Sequence, residues 1–136
     1  SIEKAYEKEG IEALVKEFEP NMHFLLSAAD FCISRAGAST IAEQIELEVP
    51  AILIPYPHAS NHQEQNADYM QNEVEGGIKL MEKDITASLL SKVLYNFVCE
   101  PLRKEYVQNI QRYKQDNEMM SFSDLILGEL KNNESK

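Results

Sequence analysis

The chain has 136 residues, 43% of them hydrophobic, with 13 Lys and Arg against 23 Asp and Glu for a net charge of -10. That length suits one domain with a single core and is too short for two full α/β domains. The acidic balance argues against a nucleic-acid surface or a polybasic membrane anchor, and no apolar run approaches the ~18 residues of a spanning helix.

The charge is uneven. Residues 1–100 carry seven basic and seventeen acidic side chains, whereas residues 101–136 carry six of each, which marks a distinct helical C-terminal part. Cys32 lies in an apolar run and Cys99 in a helical pattern with no Cys-x-x-Cys spacing, so both read as buried free thiols of a reducing, cytoplasmic compartment. The N-terminus has no charged-apolar-small leader pattern and no initial Met, and the expectation is a piece of something longer.

In chain order, Ile2 to Glu9 has Ile2, Ala5 and Tyr6 at helical spacing, with Gly10 placed to close the helix. Ala13 to Phe18 reads as a strand from its Leu-Val pair and Phe18, although Glu12, Lys16 and Glu17 could equally serve a helix. Pro20 and Asn21 open a second helix whose inward stripe would be Met22, Leu25, Leu26 and Ala29. A strand over Phe31 to Ser34 leads through Ala36, Gly37 and Ala38 into a helix from Thr40 to Leu47, with Ile41, Ile45 and Leu47 inward.

Ala51 to Tyr56 is a nearly continuous apolar run, the pattern of a parallel strand covered on both faces, and Pro55 and Pro57 end it. The loop Pro57 to Asn61 precedes a polar helix over His62 to Glu73 with Ala67 and Met70 inward; Gly76 and Gly77 break it. Ile78 to Met81 is a further strand, Thr86 caps a helix through Phe97, and Pro101 opens another with Leu102, Tyr106, Ile110 and Tyr113. An apolar segment from Phe122 to Leu130 precedes a polar tail expected to be disordered. Strands alternating with helices predict an α/β fold with a doubly wound parallel sheet, and the helix before the first strand predicts a strand upstream of Ser1.

From Phe31 to Glu43 the chain has the residues of an anion-binding strand-turn-helix junction. Gly37 would let a ligand approach the backbone, and the amides of Ala38, Ser39 and Thr40 would be free donors at the positive end of a helix dipole. An ordinary βα turn with a Ser or Thr cap fits the spacing equally. Glu43 falls one turn inside that helix, where its carboxylate could accept hydrogen bonds from a ribose diol; taken alone, it reads better as a solvated helix carboxylate. His62, Gln63 and Asn66, near the start of the next helix, could offer neutral donors and acceptors to sugar hydroxyls. His58, His62 and Glu64 make a poor metal set because His58 sits in a Pro-flanked loop, so no metal or other cofactor is expected. No Ser-His-Asp order or paired carboxylates emerge, and His58, the other candidate base, has no obvious orienting partner.

Three segments, Ile33 to Glu43, Val49 to His58 and His62 to Ala67, resemble the C-terminal domain of the bacterial MurG family. The likeness runs more weakly from Ser1 to about Phe97. It implies the Rossmann-like, donor-binding half of a two-domain GT-B glycosyltransferase, truncated at its N-terminus: residues 1–100 would form an incomplete UDP-sugar-binding domain and 101–136 its C-terminal helices and tail. Such enzymes move N-acetylglucosamine from UDP-N-acetylglucosamine to undecaprenyl-pyrophosphoryl-muramoyl-pentapeptide, with inversion, in peptidoglycan synthesis.

Carried over by position, Glu43 would hold the ribose, Gly37, Ala38, Ser39 and Thr40 would face the pyrophosphate and sugar, and His62 and Gln63 would touch the N-acetylglucosamine hydroxyls with Asn66 nearby. His62 departs from the paired glutamines of some members. The acceptor site, the general base, the membrane-contacting surface and a Gly-Gly-Ser phosphate loop have no counterpart here and would belong to the absent part. The resemblance also implies a full-length enzyme that is cytoplasmic and peripheral on the inner face of the cell membrane. Two other readings stand beside this one: a non-catalytic nucleotide-sugar-binding subunit that needs a separate acceptor-domain partner, and a doubly wound interaction domain without a ligand.

Overall fold

The computed structural model describes residues 1–58 and 62–117, so the expected segment Phe122 to Leu130, the polar tail and the end of the Pro57 to Asn61 loop lie outside the described residues. Three short strands, β1 (Cys32–Ser34), β2 (Ala51–Leu53) and β3 (Gly77–Lys79), pair in parallel in the order β1-β2-β3. Cys32 is level with Ala51 and Ala51 with Gly77, which carries Ser34, Leu53 and Lys79 to one carboxyl edge.

Helices α1 (Ile2–Lys8) and α2 (Met22–Ala28) precede the sheet; α3 (Ala38–Glu46) and α4 (His62–Tyr69) cross between its strands, and α5 (Ala87–Val98) and α6 (Glu100–Asp116) follow it. One apolar cluster joins Ile41, Ala51, Leu53, Ala67, Met70, Val74 and Ile110, and a second joins Ile52, Leu80, Val93 and Phe97. Because alternate β2 residues point to opposite faces, Ala51 and Leu53 serve the first cluster and Ile52 the second, and all three are fully buried. The sheet is therefore covered on both sides, as the alternation of strands and helices predicts.

Several local signals act as expected. Gly10, at φ +71, closes α1 with paired bonds from Gly10 N to Glu7 O and from Ile11 N to Tyr6 O. Thr86 Oγ1 accepts from Leu89 N at 3.1 Å and caps α5, and Pro101 sits in the first turn of α6. The cysteines are free but depart from the expectation of buried thiols: Cys32 and Cys99 are both only half-buried, and partial burial pushes the Cys32 thiol up to about 11.

Other expectations are corrected. Ala13 to Phe18 is neither strand nor helix, and Leu14 and Phe18 are 79% and 80% exposed. A strand persists only as one side of a hydrogen-bonded ladder, and among the described residues none lies beside this segment. On α2 only Leu26 is buried, with Met22 and Leu25 exposed. Helix α3 begins at Ala38 rather than Thr40, because the extended backbone of Gly37 (φ -69, ψ 146) already serves as its N-cap.

The helix starting at His62 ends in a π-helical turn over Met70–Val74 and is closed by Glu75 in the left-handed region, not by the glycines after it. Gly76 and Gly77 are needed for close packing. A Cβ on Gly77 would stand 2.4 Å from Ala51 O in the neighbouring strand, and one on Gly76 would stand 2.4 Å from Ile110 Cγ1 in α6. Beneath the sheet, α6 pins two connections: Lys114 Nζ donates to Glu46 O at 2.8 Å and Asn109 Nδ2 to Glu75 O at 2.9 Å.

Candidate functional site at the carboxyl edge of the sheet

The carboxyl edge is where an open parallel sheet binds ligands, and the junction from β1 into α3 lies on it. Ile41 N makes the first α3 backbone bond, to Gly37 O at 3.0 Å. The amides of Ala38, Ser39 and Thr40 come before that bond and have no acceptor among the described residues. No side chain caps the helix, so three donors and the positive helix end remain available to an anion. Above Gly37 the space is open: an added Cβ would meet only Thr40 Oγ1, at 3.7 Å. With φ at -69, neither the fold nor the backbone conformation demands a glycine there.

Glu43 follows Thr40 by three positions and Ser39 by four, which puts its side chain on the same face of α3 as theirs, one turn on from the free amides. Its side chain is exposed and its carboxylate has no hydrogen-bond or ion-pair partner among the described residues. A free carboxylate beyond an anion-binding helix start suits a diol attached to a phosphate.

Gln63 and Asn66 reach the same turn from α4. Gln63 Oε1 accepts from Tyr56 N at 2.8 Å and from Ala36 N at 3.4 Å, and Asn66 Nδ2 donates to Ala36 O at 3.0 Å. The fold thus brings together Gly37, Ala38, Ser39, Thr40, Glu43, Gln63 and Asn66. His62, the first residue of α4, is exposed and makes no hydrogen bond to the turn among the described residues. His58 lies outside α4 with its ring edge-on to Tyr56 at 5.6 Å. Among the described residues no three His, Cys, Asp or Glu side chains gather as a metal site.

A second polar group at this edge carried no role in the sequence reading. The Arg35 guanidinium lies 5.2 Å from the Tyr56 ring centre, donates to Ile54 O at 3.4 Å and pairs with Glu82 at 3.3 Å. It links the exits of all three strands. Arg35 lies inside the Ile33 to Glu43 segment, but its partners are 19 and 47 residues away, beyond any local pattern.

The profile of the glycosyltransferase family 28 C-terminal domain matches residues 1–127. The chain belongs to that family. It is 42% identical over 119 residues to a protein of Protochlamydia amoebophila named UDP-N-acetylglucosamine--N-acetylmuramyl-(pentapeptide) pyrophosphoryl-undecaprenol N-acetylglucosamine transferase, covering 86% of this chain and 31% of that one. Proteins with the same name from Chlamydia felis and Bartonella bacilliformis are 34% and 43% identical, over 93% and 74% of this chain and 35% and 26% of theirs. The chain therefore spans about a third of the length of the curated relatives it matches. For a family 28 C-terminal domain, a parallel sheet wrapped by helices is the expected Rossmann-like half of a GT-B fold.

Proposed function

We propose that this chain is the donor-binding part of an inverting hexosyltransferase that moves N-acetylglucosamine from UDP-N-acetylglucosamine to undecaprenyl-pyrophosphoryl-muramoyl-pentapeptide, a step of peptidoglycan and cell-wall synthesis. The observation that carries this reading is the free-amide start of α3 with the Glu43 carboxylate, unpaired among the described residues, one turn on, in a chain whose relatives bear that transferase name.

The amides of Ala38, Ser39 and Thr40 and the open backbone at Gly37 receive the pyrophosphate, Glu43 accepts from the ribose hydroxyls, and His62 and Gln63 face the sugar beside Asn66. As the acceptor hydroxyl attacks the anomeric carbon, the bond to the pyrophosphate breaks and negative charge grows on the departing UDP. Fixed backbone donors at a helix start stabilise that charge without reorganising. The acceptor, the general base and the contact with the inner face of the cytoplasmic membrane fall to parts of the enzyme beyond this chain. Among the described residues no helix is long and apolar enough to cross a membrane.

Calorimetric titration of the full-length enzyme with UDP-N-acetylglucosamine tests the reading. Glu43→Ala removes two charge-assisted acceptor contacts, each worth about 1.5–3 kcal/mol, and is expected to weaken binding at least tenfold. Equal affinities for wild type and variant would sink the assignment.

A further inference from the structure

We infer that Asn66 and Gln63 act as a clamp from α4 that sets the direction of the phosphate-binding amides, so that Asn66 serves the nucleotide's diphosphate by positioning the turn rather than by contacting the sugar. The inference rests on the donor-binding reading above.

The hydrogen-bond partners fix both carboxamides chemically. Gln63 meets two backbone N–H groups, those of Tyr56 and Ala36, so the atom facing them is the oxygen; Asn66 meets a backbone carbonyl, that of Ala36, so the atom facing it is the nitrogen. Tyr56 stands between Pro55 and Pro57, and of these three residues only Tyr56 has a backbone N–H to donate. Both lone pairs of Gln63 Oε1 are thereby engaged. Toward a ligand, Gln63 can present only Nε2 N–H groups, which fit an acceptor oxygen.

Gln63 and Asn66 stand three apart on α4 and share a face. Through them the helix holds two successive peptide planes: the N–H of Ala36 belongs to the plane before it and the C=O to the plane shared with Gly37. Ala36 is fully buried. The next carbonyl, that of Gly37, accepts the first backbone bond of α3. Only Gly37, whose carbonyl is held by Ile41 N, separates the clamp from the amides of Ala38, Ser39 and Thr40, and the lack of a side-chain cap on α3 leaves the clamp as the device that aims them.

The test uses the full-length enzyme with three ligands: UDP-N-acetylglucosamine, UDP and uridine. Asn66→Asp puts an acceptor against Ala36 O, and Asn66→Ala leaves that carbonyl unpaired with no new repulsion. Both variants are expected to lose UDP and UDP-N-acetylglucosamine affinity by the same factor, about tenfold for a misaligned set of bonds to a charged group, while uridine, which has no phosphate, binds as to wild type. Thermal unfolding selects the variant that folds, and Asn66→Ala carries the test where Asn66→Asp does not. Loss confined to UDP-N-acetylglucosamine, with UDP unchanged, would make Asn66 a sugar contact and overturn the clamp. If wild type itself binds no UDP, the donor-binding reading fails and takes the clamp with it.

Discussion

Gly37→Ala separates what the fold needs at the β1–α3 turn from what a ligand needs. A methyl group at this position meets only Thr40 Oγ1 at 3.7 Å, an ordinary contact, and the φ of -69 suits alanine. Replacing glycine at a helix N-cap by alanine costs up to about 1 kcal/mol, and the lost freedom of the unfolded chain returns about 0.4–1 kcal/mol. Folding stability should therefore change by less than about 1 kcal/mol. Binding is another matter, because under the proposed function the methyl group would fill the space through which an oxyanion reaches the amides of Ala38, Ser39 and Thr40. Loss of one charge-assisted bond of about 1.5–3 kcal/mol corresponds to about 10- to 100-fold in affinity. Urea unfolding and calorimetric titration with UDP-N-acetylglucosamine, both on the full-length enzyme, give the two numbers. Unchanged stability with unchanged affinity would refute the placement of the phosphate over this turn, and a stability loss above about 2 kcal/mol would show that the fold itself requires the glycine.

The same substitution behaves differently elsewhere. At Gly77 the new Cβ would press on the backbone carbonyl of Ala51 at 2.4 Å, which no rotamer change relieves, whereas at Gly76 it meets side-chain atoms of Ile110 and Met70; Gly77→Ala should cost about 3 kcal/mol or more and Gly76→Ala less, and equal denaturation midpoints for the two variants would contradict that order. A pH experiment addresses the α3–α6 contact. The hydrogen bond from Gln111, and then Lys114, lowers the Glu48 pKa below its ordinary value, so its contribution to stability is present above the unfolded pKa and lost as pH falls through the folded one. The stability difference between wild type and Glu48→Gln should be open at neutral pH and close as pH falls through the lowered folded pKa, and a difference that ignores pH would argue against the contact.

Local chemistry in the sequence was enough for several elements. Gly10 reads as a helix end because glycine enters the left-handed region at no steric cost, Thr86 as a cap because its hydroxyl reaches the backbone three residues on, and Ala51 to Tyr56 as a central strand because a nearly unbroken apolar run must be buried on both faces, although only Ala51–Leu53 joins the ladder. The candidate anion-binding turn was legible for the same reason: Gly37, Ala38, Ser39 and Thr40 lie consecutively and their role depends on neighbours in sequence.

Tertiary structure alone decided the features whose partners are distant. Whether Ala13 to Phe18 forms a strand depends on a neighbouring ladder, which the segment's own pattern cannot supply. Gly76 and Gly77 look like helix breakers in the sequence, yet the approach of Ala51 and Ile110 is what requires them. Gln44, on a helix read as apolar inward, is fully buried with Ser34 and Cys32 on β1 accepting from its Nε2, while its Oε1 has no partner among the described residues. For Gln63 and Asn66, residue type identified polar groups near a site, while the direction of each carboxamide followed from Ala36, 27 and 30 residues away. The sequence by itself determined which groups stand at the carboxyl edge; the packing of α4 against the β1–α3 turn decided which of them remain free for a ligand, because a hydrogen-bonding atom engaged by the backbone is no longer available to anything else.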